Sequence, residues 1–167
     1  MGISIPTQRH PVQILTQTFQ FNGGLETVGP AGNFINDPGR TSLTLLDVKM
    51  APLTPGSPLR GLTRSQIIVQ RETIILLYFG SEESRSSISR YPRCEPLMIY
   101  TPIAVCRGDF YVPAEANFRD FLNVMKAPLL PLVNARIFPF VNLPAPFPLE
   151  AELLLIGHEH VLFYHDA

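Results

Sequence analysis

The C-terminal stretch Ala151-Glu-Leu-Leu-Leu-Ile-Gly-His-Glu-His-Val-Leu-Phe-Tyr-His165 restates a pattern already present at Ser65-Gln-Ile-Ile-Val-Gln-Arg-Glu-Thr-Ile-Ile-Leu-Leu-Tyr-Phe79. Ile67, Ile68 and Val69 match Leu153, Leu154 and Leu155. After a polar interval, Ile75, Leu76, Leu77 and Tyr78 match Val161, Leu162, Phe163 and Tyr164. Branched and aromatic residues suit a pleated, half-buried surface, and the polar interval suits a reversal. Each stretch therefore predicts a hairpin.

The likeness runs upstream as well. Pro102-Ile-Ala-Val105 through Phe110 and Val112 echoes Pro11-Val-Gln-Ile14 through Phe19 and Phe21. Asp120-Phe-Leu-Asn123 echoes Asn33-Phe-Ile-Asn36, and Leu132-Val-Asn-Ala-Arg-Ile137 echoes Leu45-Leu-Asp-Val-Lys-Met50. The blocks keep one order, at offsets between 86 and 91 positions, as an internal duplication would leave them. The chain then divides into a leader (1–9), a first β repeat (10–80), a linker rich in Ser, Arg and Pro (81–97) and a second β repeat (98–167). In the second repeat Phe118, Phe121, Leu122 and Met125 recur at spacings of three and four, which predicts a short amphipathic helix within 114–126. Glycines make its first-repeat equivalent shorter or irregular. A unit of ~70 residues buries a modest core and leaves strand edges open. The expected fold is thus mainly β with one or two short helices: two tandem small β-barrel-like repeats packed as a pseudo-dimer.

Composition narrows the function classes. An apolar content of 46% with 16% charged residues describes a core-forming chain and not a disordered one. A net charge of -1 supplies no general basic field for nucleic acid or an anionic membrane. Cys94 and Cys106 are the only cysteines, too few for a zinc ribbon or a disulfide scaffold, and a cytoplasmic location is expected. The N-terminus lacks a basic start followed by an apolar run, so no secretory signal is expected. Prolines interrupt every apolar run before the ~18 residues of a membrane span. No nucleophile elbow, P-loop, dinucleotide fingerprint or paired-acid motif occurs, so neither an enzyme nor a cofactor is expected.

Arg107-Gly108-Asp-Phe110, Asp120-Phe-Leu-Asn123, Leu132-Val-Asn-Ala-Arg136 and Leu155-Ile-Gly157 before Val161 resemble, in order, the features of a small SH3-like or Sm-like barrel. Ile156 stands where the Sm pattern has Arg, Sm proteins have no helix before the Asn turn, and Gln17 stands where the first half would match Gly108. A closer likeness is to small bacterial β-barrel domains of unknown function, over 98–165 and more faintly 11–79. That likeness implies architecture and no activity.

Three sets of residues are candidates for function. The loop Phe138-Pro-Phe-Val-Asn-Leu-Pro-Ala-Pro-Phe-Pro-Leu149 is unusually apolar for a connection. Its Phe138, Phe140, Val141, Leu143, Phe147 and Leu149 form either a lid or a partner-binding surface, held extended by proline. Arg107, Arg119, Asp120 and Asn123, with Arg136, would carry nucleic-acid binding if the Sm resemblance extended to function. Asp and Asn also cap helices and hold turns, the preferred reading here. His158 and His160, with Glu159 and His165, are the one metal-capable cluster, since alternate residues of a strand face the same way. The polarity of a turn explains them without a metal. The favoured function is a non-catalytic structural or interaction protein, a subunit of a larger or self-assembled complex. It would bind a protein partner or copies of itself through proline-rich apolar loops and strand edges, with an Sm-like nucleic-acid module as the alternative.

Overall fold

The computed structural model describes residues 2–3 and 5–167 and, within them, no side chain for Phe118 or Phe121. It is mainly β. The strands are β1 (Thr7–Leu15), β2 (Phe19–Val28), β3 (Ser42–Pro52), β4 (Leu62–Gln70), β5 (Leu76–Phe79), β6 (Arg93–Tyr100), β7 (Ala104–Val112), β8 (Leu129–Pro139), β9 (Glu150–Gly157) and β10 (Phe163–Asp166). Three short helices interrupt them: α1 (Ala31–Ile35), α2 (Glu82–Ser86) and α3 (Phe121–Val124). None is long and apolar enough to cross a membrane.

All ten strands form one antiparallel sheet in the order β10-β6-β7-β8-β9-β5-β1-β2-β3-β4. It is open, with β10 and β4 as its outer strands. Each half of the chain contributes five adjacent strands in the same internal order: β5-β1-β2-β3-β4 and β10-β6-β7-β8-β9. Corresponding positions lie 85 apart in the first two strands of each half, as with Thr16 and Thr101 or Gly23 and Gly108. They lie 87 apart thereafter, as with Asp47 and Asn134. These offsets shift the correspondence expected from sequence by a few residues. The counterpart of Gly108 is Gly23, not Gln17.

The corresponding positions do the same physical work. Thr16 accepts from the Phe19 N–H (3.0 Å) and donates to its carbonyl (3.2 Å); Thr101 does the same with Ala104 (3.1 and 2.9 Å). Each threonine thereby closes a tight turn between two strands. A bulge follows at Asn22/Gly24 and Arg107/Asp109. There a Cβ on Gly23 would lie 2.9 Å from the Leu46 carbonyl and one on Gly108 2.7 Å from the Val133 carbonyl. The facing residues Asp47 (φ 48°) and Asn134 (φ 51°) take the left-handed conformation, which short polar side chains tolerate better than others.

The two predicted hairpins do not form. β4 pairs with β3 and β9 with β8, whereas β5 pairs with β1 and β9, and β10 with β6. Between each supposed pair lies a 3-10 turn, Arg71–Thr73 or His158–His160, which carries the chain away from the strand it has just left. The physical reason is clearest at β5. Leu76, Leu77 and Phe79 are all buried, and a strand apolar on both faces belongs in the middle of a sheet.

The stretch 81–97 expected as a linker holds α2 and the start of β6, and the expected leader contributes Thr7–Arg9 to β1. The predicted helix is one turn of 3-10 helix, Phe118–Asp120, followed by α3. Its glycine-bearing counterpart α1 is fully formed. Gly32 is needed there because a Cβ would meet the Ser87 carbonyl at 2.4 Å, where α1 abuts the end of α2.

Two cores result, and they interlock. One is built mainly from the second half but takes in Leu15, Leu53, Ile75 and Leu76. The other is built mainly from the first half but takes in Leu129, Leu153 and Leu155. Alternate residues of β9 thus serve different cores: Leu154 and Ile156 one, Leu153 and Leu155 the other.

Candidate interaction site: the sheet edges and their internal counterpart

The halves meet where β5 pairs with β9, in the register Leu76↔Ile156 and Leu77↔Leu155. The Gly157 N–H donates to the Ile75 carbonyl at 2.8 Å. This approach is so close that a Cβ on Gly157 would lie 2.1 Å from the Ile74 carbonyl oxygen. Asn36, at the end of α1, accepts from the Leu129 N–H at 3.1 Å and ties the same two halves together. That contact gives Asn36 a structural role the sequence only hinted at.

The outer strands are the counterparts of these two: β4 corresponds to β9 and β10 to β5. Their exposure is reversed. Leu155, Ile75 and Leu76 are at most 1% exposed, whereas Ile68, Leu162 and Phe163 at the same places are 51%, 60% and 57% exposed. Each outer strand also leaves one row of backbone N–H and C=O groups without a neighbour in the sheet. The molecule therefore carries two unpaired edges, each with exposed apolar side chains, that correspond to the two sides of a contact it makes internally.

The proline-rich loop is buried in part and exposed in part. Phe147 is buried and meets Tyr78 edge to face, with ring centroids 6.5 Å apart, and Val141 and Leu143 pack against the same core. Gln20, itself buried, clamps the loop from the first half. Its amide donates to the Ala145 carbonyl (3.1 Å) and accepts from the Ala145 N–H (3.2 Å). Phe138, Phe140 and Leu149 point the other way, each at least half exposed.

The histidines sit in a 3-10 turn, so the strand geometry that would aim His158 and His160 in one direction is absent. The Nε2 of His158 donates to the Leu122 carbonyl (2.9 Å) and that of His160 to the Glu72 carbonyl (2.6 Å). His158 corresponds to Arg71, whose guanidinium donates to the Ile35 carbonyl at 3.0 Å. Both residues cap the end of the helical turn before the third strand of their half, and a Lys, Arg or His suits that place. The two histidines line an open cleft of about 510 Å³ with Arg71, Glu72 and Lys126. Among the described residues no group of three His, Cys, Asp or Glu is arranged to hold a metal.

The nucleic-acid candidates are not gathered on one element. Arg107 lies on β7 directly across from Arg136, which pairs with Glu150 at 3.5 Å. Arg119, Asp120 and Asn123 lie in the β7–β8 connection and are exposed. Asn117 caps this turn by accepting from the Arg119 N–H at 3.1 Å.

One polar network had no sequence signal, because its members come from three separate segments. His10 (β1) is buried between Ser84 (α2), 2.6 Å from Nδ1, and Thr27 (β2), 3.1 Å from Nε2. Thr27 gives its own proton to the Gly29 carbonyl, so it must accept from His10 Nε2–H, and Nδ1 must accept from Ser84. Burial lowers the His10 pKa, and Glu83 opposes that only in part. The network fastens α2 to the first half. Ser84 is fully buried and so out of reach of a substrate. No protein family, curated protein or solved structure matches the chain.

Proposed function

We propose that this chain is a non-catalytic structural protein that joins copies of itself head to tail, the β4 edge of one copy meeting the β10 edge of the next. The observation that carries this reading is the reversed exposure of corresponding residues. Leu155, Ile75 and Leu76 are buried where the halves meet, and Ile68, Leu162 and Phe163 are exposed at the ends. Covering those three side chains with the complementary edge would also pair part of each outer strand's backbone, as the two-residue ladder does inside the molecule. Long, apolar edges are otherwise a liability that proteins blunt with charge or proline. Arg64 in β4 and Asp166 in the four-residue β10 are such charges, but no charge or proline stands among Ile67, Ile68 and Val69 or between Val161 and Tyr164.

On the same reading the halves are diverged copies of one small barrel-type unit, distantly Sm-like or SH3-like, packed as a pseudo-dimer. The shared strand order, the matching threonine turns and the matching bulges support that descent. A contact between two different surfaces continues until it closes into a ring or runs on as a filament. The test is the native mass of the untagged chain by light scattering over a range of concentrations. A mass above 18.6 kDa is expected, a fixed multiple of it for a ring or one that grows with concentration for a filament, and a species of one chain throughout would reject the reading.

A further inference from the structure

The internal contact between the halves has a second component besides strand pairing. Leu76, Leu15, Gln20 and Ala51 are directly opposed across β5, β1, β2 and β3 and form a row over one face of the sheet. The second half's loop 140–148, which leads into β9, lies on this row. Ala145 is held by Gln20, Phe147 packs on Tyr78, and Leu53, next to the row, is buried in the same core. One segment of the second half thus docks twice on the first: its strand on the β5 edge and its preceding loop on the adjoining face.

The second half has the same row, and its two outer members, Phe163 and Phe138, are more than half exposed. Phe163, Tyr100, Val105 and Phe138 are directly opposed across β10, β6, β7 and β8. Phe163 stacks on Tyr100 with ring centroids 4.3 Å apart. Phe138 is exposed, and so is Phe140, the counterpart of buried Leu53. In the first half the segment matching loop 140–148 is 53–61, which leads into β4. It carries Pro55, Pro58 and an exposed Leu59.

Resting on the self-assembly reading above, we infer that this aromatic row is the receptor for the proline loop 54–60 of a second copy. The loop docks on it as β4 pairs with β10. The internal contact supplies the register, Phe163 opposite Val69 and Tyr164 opposite Ile68, and it sets Pro58 of one copy beside Val105 of the other. Two linked sites on one rigid segment raise the effective concentration of each for the other. Proline leaves the loop little freedom to lose on docking. Asn123, the counterpart of Asn36, is exposed and would meet the N–H of the partner's Ser42, the counterpart of Leu129.

Several positions depart from the internal template. Val105 and Pro58 stand where Gln20 and Ala145 exchange two hydrogen bonds, and Arg60 and His165 stand where Phe147 meets Tyr78. The loop would therefore dock by its prolines and Leu59 on the aromatic row and without that clamp. Gln70 stands where β9 has Gly157, and its Cβ would meet the counterpart of the Ile74 carbonyl, that of Val161. The contact between copies is therefore looser at this end, and Gln70→Gly is expected to tighten it.

The test uses two full-length variants, Pro58→Cys and Val105→Cys, both carrying Cys94→Ser so that the remaining native thiol, Cys106, is buried. Each is treated with a short thiol-to-thiol cross-linker, alone and after mixing, at a concentration where light scattering shows association. The mixture should give a covalent pair containing one chain of each kind, and either variant alone should give none. Replacing 54–60 by a Gly-Ser segment of equal length should weaken association at least tenfold, and Gln70→Gly should strengthen it. A mass above one chain with no cross-link in the mixture, and with unchanged association of the loop variant, would overturn the loop-and-row inference while leaving self-assembly standing. A monomer at every concentration would overturn both.

Discussion

Gly157→Ala probes the junction between the halves, which is the template for the proposed contact between copies. The added Cβ would lie 2.1 Å from the Ile74 carbonyl oxygen, about 1 Å inside the closest ordinary contact. That oxygen is backbone and cannot swing aside as a side-chain tip could, so β9 or the Ile74–Ile75 segment must move. The movement opposes the Gly157 N–H bond to the Ile75 carbonyl (2.8 Å) and the two-residue ladder Leu76↔Ile156 and Leu77↔Leu155. Overpacking costs roughly 1–3 kcal/mol, and a weakened buried hydrogen bond adds about 0.5–1.5 kcal/mol. A loss of about 2–4 kcal/mol follows. Urea unfolding at one fixed protein concentration reads it as a drop in midpoint at constant slope. Gly61→Ala is the control, because its Cβ meets only the Met50 carbonyl at an ordinary 3.5 Å, and its change should stay within about 0.5 kcal/mol. If Gly157→Ala were no more costly than Gly61→Ala, the close approach described at the junction would be wrong.

Other consequences can be measured in the same way. Gln20→Ala leaves the N–H and carbonyl of Ala145 without partners and should cost about 2–4 kcal/mol, with faster proteolysis inside 140–148 as an independent sign. Asn134→Val forces a β-branched residue into φ 51° and should cost about 1–2 kcal/mol. Folding lowers the His10 pKa, so the unfolded chain takes up a proton that the folded chain resists. Stability should be level above about pH 7 and fall as pH drops below the ordinary histidine value of about 6.5. A His10→Gln variant should lack that part of the slope; the same slope in the variant would remove His10 as its source.

The parts of this fold that were legible in the sequence are those written in local chemistry. Alternating apolar residues around Val12 and Ile14 and around Leu43 and Leu45 marked strands, and the recurrence of Asn33–Asn36 at 120–123 located the matching connections. Strand partners were not legible. Ile75, Leu76 and Leu77 follow Ile67–Val69 after a short polar interval, and local rules make that a hairpin. The choice of β1 and β9 as partners depends on burying both faces of β5, which only the assembled sheet can do. The apolar loop was recognisable as unusual, yet its division into inward Phe147 and outward Phe138 and Phe140 depends on Gln20, 125 residues from Ala145. The histidine cluster was visible and its place in a turn was expected, and the turn is a 3-10 turn in which strand alternation no longer aligns the two side chains. Its role emerged only by comparison with Arg71.

Head-to-tail association is tested most directly by blocking one edge at a time. Ile68→Lys should close the β4 edge and leave β10 free, and Phe163→Lys should do the reverse. Each variant alone should run as a single chain of 18.6 kDa. An equimolar mixture retains one good edge of each kind and should give a one-to-one pair of about 37 kDa, twice 18.6 kDa. If the mixture instead stays at the mass of one chain, or if either variant alone assembles as the unmodified protein does, β4 and β10 are not the joining edges.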